Sequence, residues 1–269
     1  MKVIGPTPHS LKNYLSEIFK FRQLIITFGT RDLKNTYAQS FLGIAWTFLQ
    51  PLAGIIIFSF VFGHILKIQS GGFPYPVFAY IGMLAWFCFT SVMGASSNSL
   101  LANKEMIKKI YFPKILLPFS KVFTGMVEFA IWLFLLAGLM LLYGIVPSWR
   151  IVFLPAFFIL DILTGLSIGL WLSALTYRKK DLVFIVPYLA GFGVMITPIF
   201  YPNSMIPLQY EMMKYCNPLC GIVEGFRWSI LGTETLNWNY CIGFIPVVIL
   251  IITAFLHYRK IEGKLADIL

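Results

Sequence analysis

Uncharged apolar stretches long enough to cross a bilayer recur along most of the chain. A hydrocarbon core of about 30 Å requires roughly 20 apolar residues in helical form. The stretches predict six transmembrane helices, at 41–66, 77–101, 116–143, 152–177, 183–200 and 240–256. The fifth is short and contains Pro187 and Pro198. The pattern therefore predicts an all-α integral membrane protein with a single transmembrane domain, 1–269.

Three further segments show helical periodicity or an apolar run but do not fit a span. Residues 10–28 carry apolar positions on one helical face, which predicts an amphipathic helix in the cytoplasmic interface. Residues 103–113 predict a short amphipathic cytoplasmic helix that stops at its final proline. Within 202–237, the apolar stretch 219–231 is too short to cross and fits a re-entrant or interfacial helix. Surface anchoring and simple connecting structure explain these segments as well as docking and gating do.

Lysine and arginine are distributed very unevenly between the two sides of the predicted topology. With the N-terminus inside, 17 of the 21 basic residues fall in cytoplasmic segments, and the outside segments hold Lys67, Arg150, Lys214 and Arg227. The positive-inside rule therefore places both termini in the cytoplasm. The net charge of +10 follows from this topology and from anionic lipid, so it requires no nucleic-acid partner.

Composition and motifs argue against a soluble catalytic domain. The chain is 58% hydrophobic and 12% charged, whereas soluble domains carry about 25% charged residues. It contains no G-x-x-x-x-G-K-[ST] phosphate loop, and its cysteines and histidines are too dispersed for a metal site, so we expect no catalytic residue, metal or cofactor in this chain. Glu128 and Asp161 fall within or near spans, where a charge calls for a reason; helix packing and transport are both open.

Aromatic side chains are concentrated in the first two spans. Those of interest are Trp46, Phe48, Phe58, Trp86, Phe87 and Phe89. The C–H face of a sugar packs well on an aromatic plane, so these residues suggest a sugar pathway. Interfacial aromatic belts and lipid-facing phenylalanines explain many of them equally well.

Several motifs together resemble those of the ABC-2 type polysaccharide exporter permeases. The opening signature of that family is matched by RDLKNTY at 31–37, SFLG at 40–43, Trp46 and LQPL at 49–52. Three later features agree with it: Tyr111-Phe112-Pro113 after span two, RKKD at 178–181 after span four, and Asn217-Pro218 leading towards Arg227. The resemblance covers essentially the whole chain.

The resemblance implies a homodimer in the bacterial inner membrane, bound to two copies of a separate nucleotide-binding subunit that holds ATP and magnesium. It implies a polyprenyl-diphosphate-linked glycan of the O-antigen type as cargo, with spans one and five lining the dimer interface and pathway. Residues 10–28 and 103–113 would face the ATPase, the latter as the coupling helix. The residues given roles in this way are Lys104, Glu105, Lys108 and Lys109 for coupling, Glu224 and Arg227 for an outer gate, and Arg22, Arg31 and Lys34 for attracting the lipid diphosphate. The positive-inside rule alone also explains the last three.

Other functions are open at this point. The cargo of such a permease is a capsule chain or teichoic acid in one alternative, and a small hydrophobic molecule in another. A membrane-embedded enzyme of glycan or lipid synthesis would be expected to cluster carboxylates, whereas Asp32, Glu105 and Asp181 are scattered along the sequence. A purely structural or assembly subunit explains the cytoplasmic amphipathic elements less economically.

Overall fold

The computed structural model describes residues 11–38, 43, 45–176, 179–233 and 236–265 of the 269-residue chain. The described part is helical and contains no β-strand, which confirms the all-α prediction. Its α-helices are α1 Leu11–Lys20, α2 Gln23–Ala38, α3 Ala45–Phe58, α4 Tyr75–Ser97, α5 Ser99–Ala102, α6 Lys104–Lys109, α7 Leu116–Leu142, α8 Leu154–Thr176, α9 Ile185–Ile196, α10 Glu211–Cys216, α11 Pro218–Leu231 and α12 Phe244–Leu265. Predicted features at 40–42 and at Arg178 lie outside the described residues.

Five helical segments of the described chain are long and apolar enough to cross a membrane. They are Ala45–Ile65, Tyr75–Ser97, Leu116–Leu142, Trp149–Thr176 and Trp238–Lys260. They correspond to predicted spans one, two, three, four and six. The first is completed by a π-helical turn at Ser59–Ile65, and the fourth and sixth begin in 3-10 turns.

The fifth predicted span, 183–200, is shorter in the structure than in the prediction. The apolar helix there covers Asp181–Ile196, which a rise of 1.5 Å per residue makes about 24 Å long. It ends because Thr197, which precedes Pro198, is in the extended conformation that a residue before proline favours. The count of six spans and the cytoplasmic position of both termini therefore stay predictions.

Helix α4 forms the centre of the bundle. It contacts α7, α8 and α11, and nearly its whole circumference is buried, as an all-round apolar helix requires. The contact with α8 is close because Gly165 and Gly169 present a flat surface. A Cβ atom would lie 2.8 Å from the Phe89 carbonyl oxygen at Gly165 and 2.6 Å from the Ser96 Cβ at Gly169. Small residues therefore set the distance between these two spans.

The predicted amphipathic helix 10–28 is two helices, and the prediction of one continuous helix is wrong. A turn separates α1 from α2, and α2 continues ten residues further. The break lets the two helices meet different partners. Tyr14 of α1 is buried against Phe255 of α12, with ring centroids 5.3 Å apart. On α2, Gly29 allows the backbone to approach Phe123 of α7.

A charge cluster joins α2 to α7. Asp32 forms an ion pair with Lys121, and both side chains are mostly buried. Arg31 donates to Asp32 and also to Oδ1 of Asn103, 2.7 Å away, just before α6. The spacing of Lys121 and Glu128 excludes a direct pair between them, and in the structure Lys121 indeed pairs with Asp32.

We expect Lys121→Met to lower the free energy of unfolding by about 1–2 kcal/mol, between the values for exposed and buried ion pairs. The buried Asp32 carboxylate would keep Arg31 as a partner but lose its contact with α7. Thermal unfolding of the purified chain in detergent measures this. Lys34→Met, at an exposed position on the same helix, is the control; an equal loss in both variants would contradict a structural role for the pair.

Candidate functional site

The predicted coupling residues lie on a short exposed helix, which begins beside the contact between Arg31 of α2 and Asn103. This helix, α6, is shorter than the predicted 103–113 because Ile110 is already extended. Ile107 is buried and anchors the helix, while Glu105, Lys108 and Lys109 are exposed and Lys104 is partly so. Exposed Ile110 and Tyr111 follow directly. The exposed surface at this end of the chain thus combines charged side chains with apolar area.

The three residues predicted to attract a lipid diphosphate differ in their contacts. The Arg31 guanidinium donates hydrogen bonds to Asp32 and Asn103, and its central carbon lies 5.2 Å from the Phe28 ring centroid. Arg22 lies 4.2 Å from the Phe19 ring centroid, between α1 and α2. Arg22 and Lys34 are exposed. Their role towards a diphosphate stays a prediction.

A cavity of about 440 Å³ lies between the end of α2 and helices α3, α4 and α7. Its lining consists of the aromatic residues Trp46, Phe87 and Trp132, the polar residues Tyr37, Thr47, Gln50, Thr90, Ser91 and Glu128, and Gly43 with Pro51. Glu128 lies about 10 Å further along α7 than Lys121, since each residue rises 1.5 Å. On α7 the cavity is therefore lined from about 10 Å beyond the charge cluster, at Glu128 and Trp132.

The polar side of this cavity centres on Glu128. Its carboxylate accepts a hydrogen bond from the hydroxyl of Ser91 on α4, and the Tyr37 hydroxyl of α2 is an electrostatic neighbour. The Tyr37 oxygen lies 3.2 Å from Oγ1 of Thr47 on α3. The carboxylate thus links α7 to α4, and Glu128 is only partly buried, so it still faces the cavity.

On the aromatic side of the cavity, Trp132 is held by two contacts. Trp132 donates from its indole nitrogen to the Thr47 carbonyl oxygen at 3.1 Å, and its ring centroid is 5.6 Å from that of Phe87. Trp46 is exposed over more than half of its surface. The sequence pattern singled out Trp46, Phe87 and Glu128 but missed Tyr37, Ser91 and Trp132. A carboxylate in a span without a basic neighbour is a signal to look for nearby hydroxyls, and that signal was available here.

The other predicted pathway aromatics do not line the cavity. Trp86 and Phe89 are buried within the chain, with ring centroids 5.4 Å apart. Phe58 stacks on Phe200 at 3.8 Å between ring centroids, and Phe48 is partly buried on α3. Their place on a substrate pathway stays a prediction.

Arg227, one of the two predicted gate residues, is fully buried on α11 and holds the segment that follows α9. It donates to the carbonyl oxygens of Pro198 at 2.9 Å and Ile199 at 2.6 Å, and lies 3.7 Å from the Phe78 ring centroid. Tyr75 of α4 donates to the next carbonyl, that of Phe200, at 2.8 Å. Three consecutive carbonyls that no helix satisfies thus receive side-chain donors.

Glu224, the other predicted gate residue, lies one helical turn before Arg227. It accepts from Nδ2 of Asn203 at 2.8 Å, and the same amide donates to the Tyr240 hydroxyl at 2.7 Å. These bonds join α11 to the segment after α9 and to the start of the last span. The predicted outer segment 202–237 is therefore an ordered, hydrogen-bonded unit wherever it is described, and gating by it stays a prediction.

Asp161 lies on α8 in the contact with α4 and does not line the cavity. It is fully buried beside Cys88, whose thiol is a weak donor. Neither carboxylate oxygen of Asp161 has a hydrogen-bond partner among the described residues. All four cysteines of the chain are free, and Cys216 and Cys241 are exposed.

Residues 23–231 match the family described as the ABC-2 type transporter, so the chain belongs to that family. The matched region runs from the beginning of α2 to the end of α11 and contains the cavity, α6 and the Arg227 contacts. Together with the apolar helices, membership identifies a multi-pass protein of the bacterial inner membrane and a transporter permease.

Relatives match over most of their own length. The O-antigen export system permease protein RfbA of Myxococcus xanthus is 29% identical over 213 residues, 78% of this chain and 81% of the relative. The protein of the same name from Klebsiella pneumoniae is 28% identical over 252 residues, 91% of this chain and 95% of the relative. The polysialic acid transport protein KpsM of Escherichia coli is 25% identical over 238 residues, 86% and 91% of the two chains.

Proposed function

We propose that this chain is the membrane subunit of an exporter that carries a polyprenyl-diphosphate-linked polysaccharide of the O-antigen type out of the cytoplasm. The observation that carries the proposal is the similarity to an O-antigen export permease over 91% of this chain and 95% of that relative. The aromatic and hydroxyl-rich cavity supports it, because aromatic planes and hydrogen-bond acceptors are the groups that recognise sugars.

ATP is hydrolysed, in this proposal, by two copies of a separate nucleotide-binding subunit. The chain itself contains no phosphate-loop motif, and the exposed face of α6 offers a partner both charge and apolar area. A second copy of the chain would cover α9 and α3 with the π-helical turn that follows α3. These segments expose large apolar side chains such as Ile56, Phe60, Tyr188 and Phe192. A capsule polysaccharide is the second candidate cargo, favoured by the similarity to the polysialic acid transport protein.

Deletion of the gene tests the proposal. We expect the surface glycan to disappear and lipid-linked glycan to accumulate inside the cell, and the wild-type chain to restore export. Immunoblots of surface glycan and chromatography of extracted lipid-linked glycan measure the two pools. Unchanged surface glycan in the deletion strain would contradict the proposal.

We expect Lys108→Glu to reduce export about tenfold, with the abundance of the chain unchanged. The side chain is exposed on α6, so reversing its charge would not disturb the fold but would oppose a partner that fits the native surface. The matched control is Lys260→Glu, an exposed lysine at the far end of α12. Export at the wild-type level in Lys108→Glu would show that α6 does not contact the ATPase.

A further inference from the structure

We infer that the cavity beside Glu128 binds an uncharged sugar unit, and that Glu128 is the residue that selects it against acidic sugars. The inference rests on the proposed function and goes further. It states that the bound sugar is uncharged and names the residue that discriminates against charged sugars. The cavity volume of about 440 Å³ lies within the range of small-molecule sites, about 300–1,000 Å³.

The charge of the cavity points to a neutral ligand. Glu128 is the single ionisable acid of the lining, and no lining residue is Lys, Arg or His. The sequence from 35 to 66 carries no Lys, Arg, Asp or Glu either, so the neighbouring chain supplies no cation. Lys121, the basic residue nearest along α7, is paired with Asp32. The carboxylate of an acidic sugar would therefore meet a like charge and no compensating one, at a site partly removed from water.

Glu128 keeps hydrogen-bonding capacity for a ligand. An ionised carboxylate has about four acceptor positions, and the Ser91 hydroxyl uses one of them, with the Tyr37 hydroxyl a further neighbour. Sugar hydroxyls are donors that fit the remaining positions, and hydrogen bonds to a charged acceptor are the stronger kind. Gln50, also on the lining, adds an amide that both donates and accepts. The Thr90 hydroxyl donates to the Trp86 carbonyl, so it offers a ligand an acceptor.

The aromatic residues provide the surface against which a sugar ring packs. Trp132 is held by its bond to the Thr47 carbonyl and by its contact with Phe87, so its orientation is set before a ligand arrives. Trp46 lies on the same lining and is largely exposed. The lining thus places two indole rings beside a carboxylate, and the ring of Trp132 is fixed in advance by its own contacts. Such preorganisation lowers the cost of binding.

The test compares two hexasaccharide probes on the full-length chain in lipid nanodiscs. Maltohexaose is the neutral probe and a sialic acid hexamer is the acidic one, and tryptophan fluorescence reports equilibrium binding. We expect the wild-type chain to prefer maltohexaose. In Glu128→Gln the ratio of the two affinities should fall about tenfold, because the amide keeps an acceptor but removes the charge. Glu211→Gln, which removes an acid from α10 outside the cavity, is the control and should leave the ratio unchanged.

A second variant keeps the test decisive if Glu128→Gln does not fold. Gln50 is an exposed residue of the lining, so Gln50→Lys adds a cation without touching the Glu128 hydrogen bonds. It should shift the ratio towards the acidic probe. A purely structural Glu128 would change both affinities equally and leave the ratio constant, which would overturn the inference. Absence of maltohexaose binding to the wild-type chain would overturn it as well. Neither result would affect the proposed export function, which the deletion strain tests separately.

Discussion

Arg227→Met should destabilise the protein by about 2–6 kcal/mol, because the carbonyl oxygens of Pro198 and Ile199 would each lose a donor and a buried unpaired acceptor costs about 1–3 kcal/mol. A loss of that size is a large part of the stability of a typical protein. We expect low abundance in the membrane and an early thermal transition in detergent. Circular dichroism on heating measures the transition.

Two controls distinguish the loss of the Arg227 hydrogen bonds from the loss of its positive charge. Arg150→Met removes a basic residue from the same predicted side; Arg150 donates to the Thr233 carbonyl at 3.0 Å at a partly exposed position, so the effect should be smaller. Arg227→Lys keeps the charge but has no planar fork to reach two carbonyls at once, so it should restore only part of the stability. If Arg227→Met unfolds at the wild-type temperature, Arg227 does not hold the segment after α9.

Gly165→Leu should prevent the second and fourth spans from packing. The first added atom would already lie 2.8 Å from the Phe89 carbonyl oxygen on α4, and the remaining atoms of the side chain would enter the same contact. Overpacking a core costs about 1–3 kcal/mol, and more where the neighbour is backbone. We expect a chain that is inserted but cleared by proteases, measured as abundance and as a detergent-resistant folded fraction.

Gly138→Leu is the matched control. Gly138 lies in the third span, and a Cβ atom there would meet nothing within 4 Å. Leucine is the better helix former, so the variant should be as stable as the wild type or slightly more so. Equal loss in the two variants would show that the glycines do not set the distance between α4 and α8.

The sequence was sufficient to predict most of the transmembrane helices. Long apolar runs have one stable form in a bilayer, so spans one to four and six were predicted close to their observed bounds. The end of α9 was harder, because Pro198 acts on the residue before it and not at its own position. The break between α1 and α2 contains neither proline nor glycine. It follows from contacts with α12 and α7, which lie far along the chain.

The candidate site was predictable only in part. Glu128 was recognisable as a carboxylate in a span, and Trp46 and Phe87 as aromatic residues of spans one and two. Their assembly into one cavity depends on how α2, α3, α4 and α7 pack, which sequence periodicity does not determine. Trp86 illustrates the limit: it is adjacent to Phe87 in sequence but points into the core. Arg227 was assigned to a gate from its motif, and its contacts with carbonyls 198 and 199 emerge only in the folded chain.

The most direct test of the export function is transport into inverted membrane vesicles that contain this chain and its ATPase partner. Lipid-linked glycan would be supplied outside, on the face that corresponds to the cytoplasm, and its protection from an added glycosidase measured over time. We predict protection that requires ATP, this chain and an intact partner. Protection at the same rate without ATP, or in vesicles that lack this chain, would contradict the account.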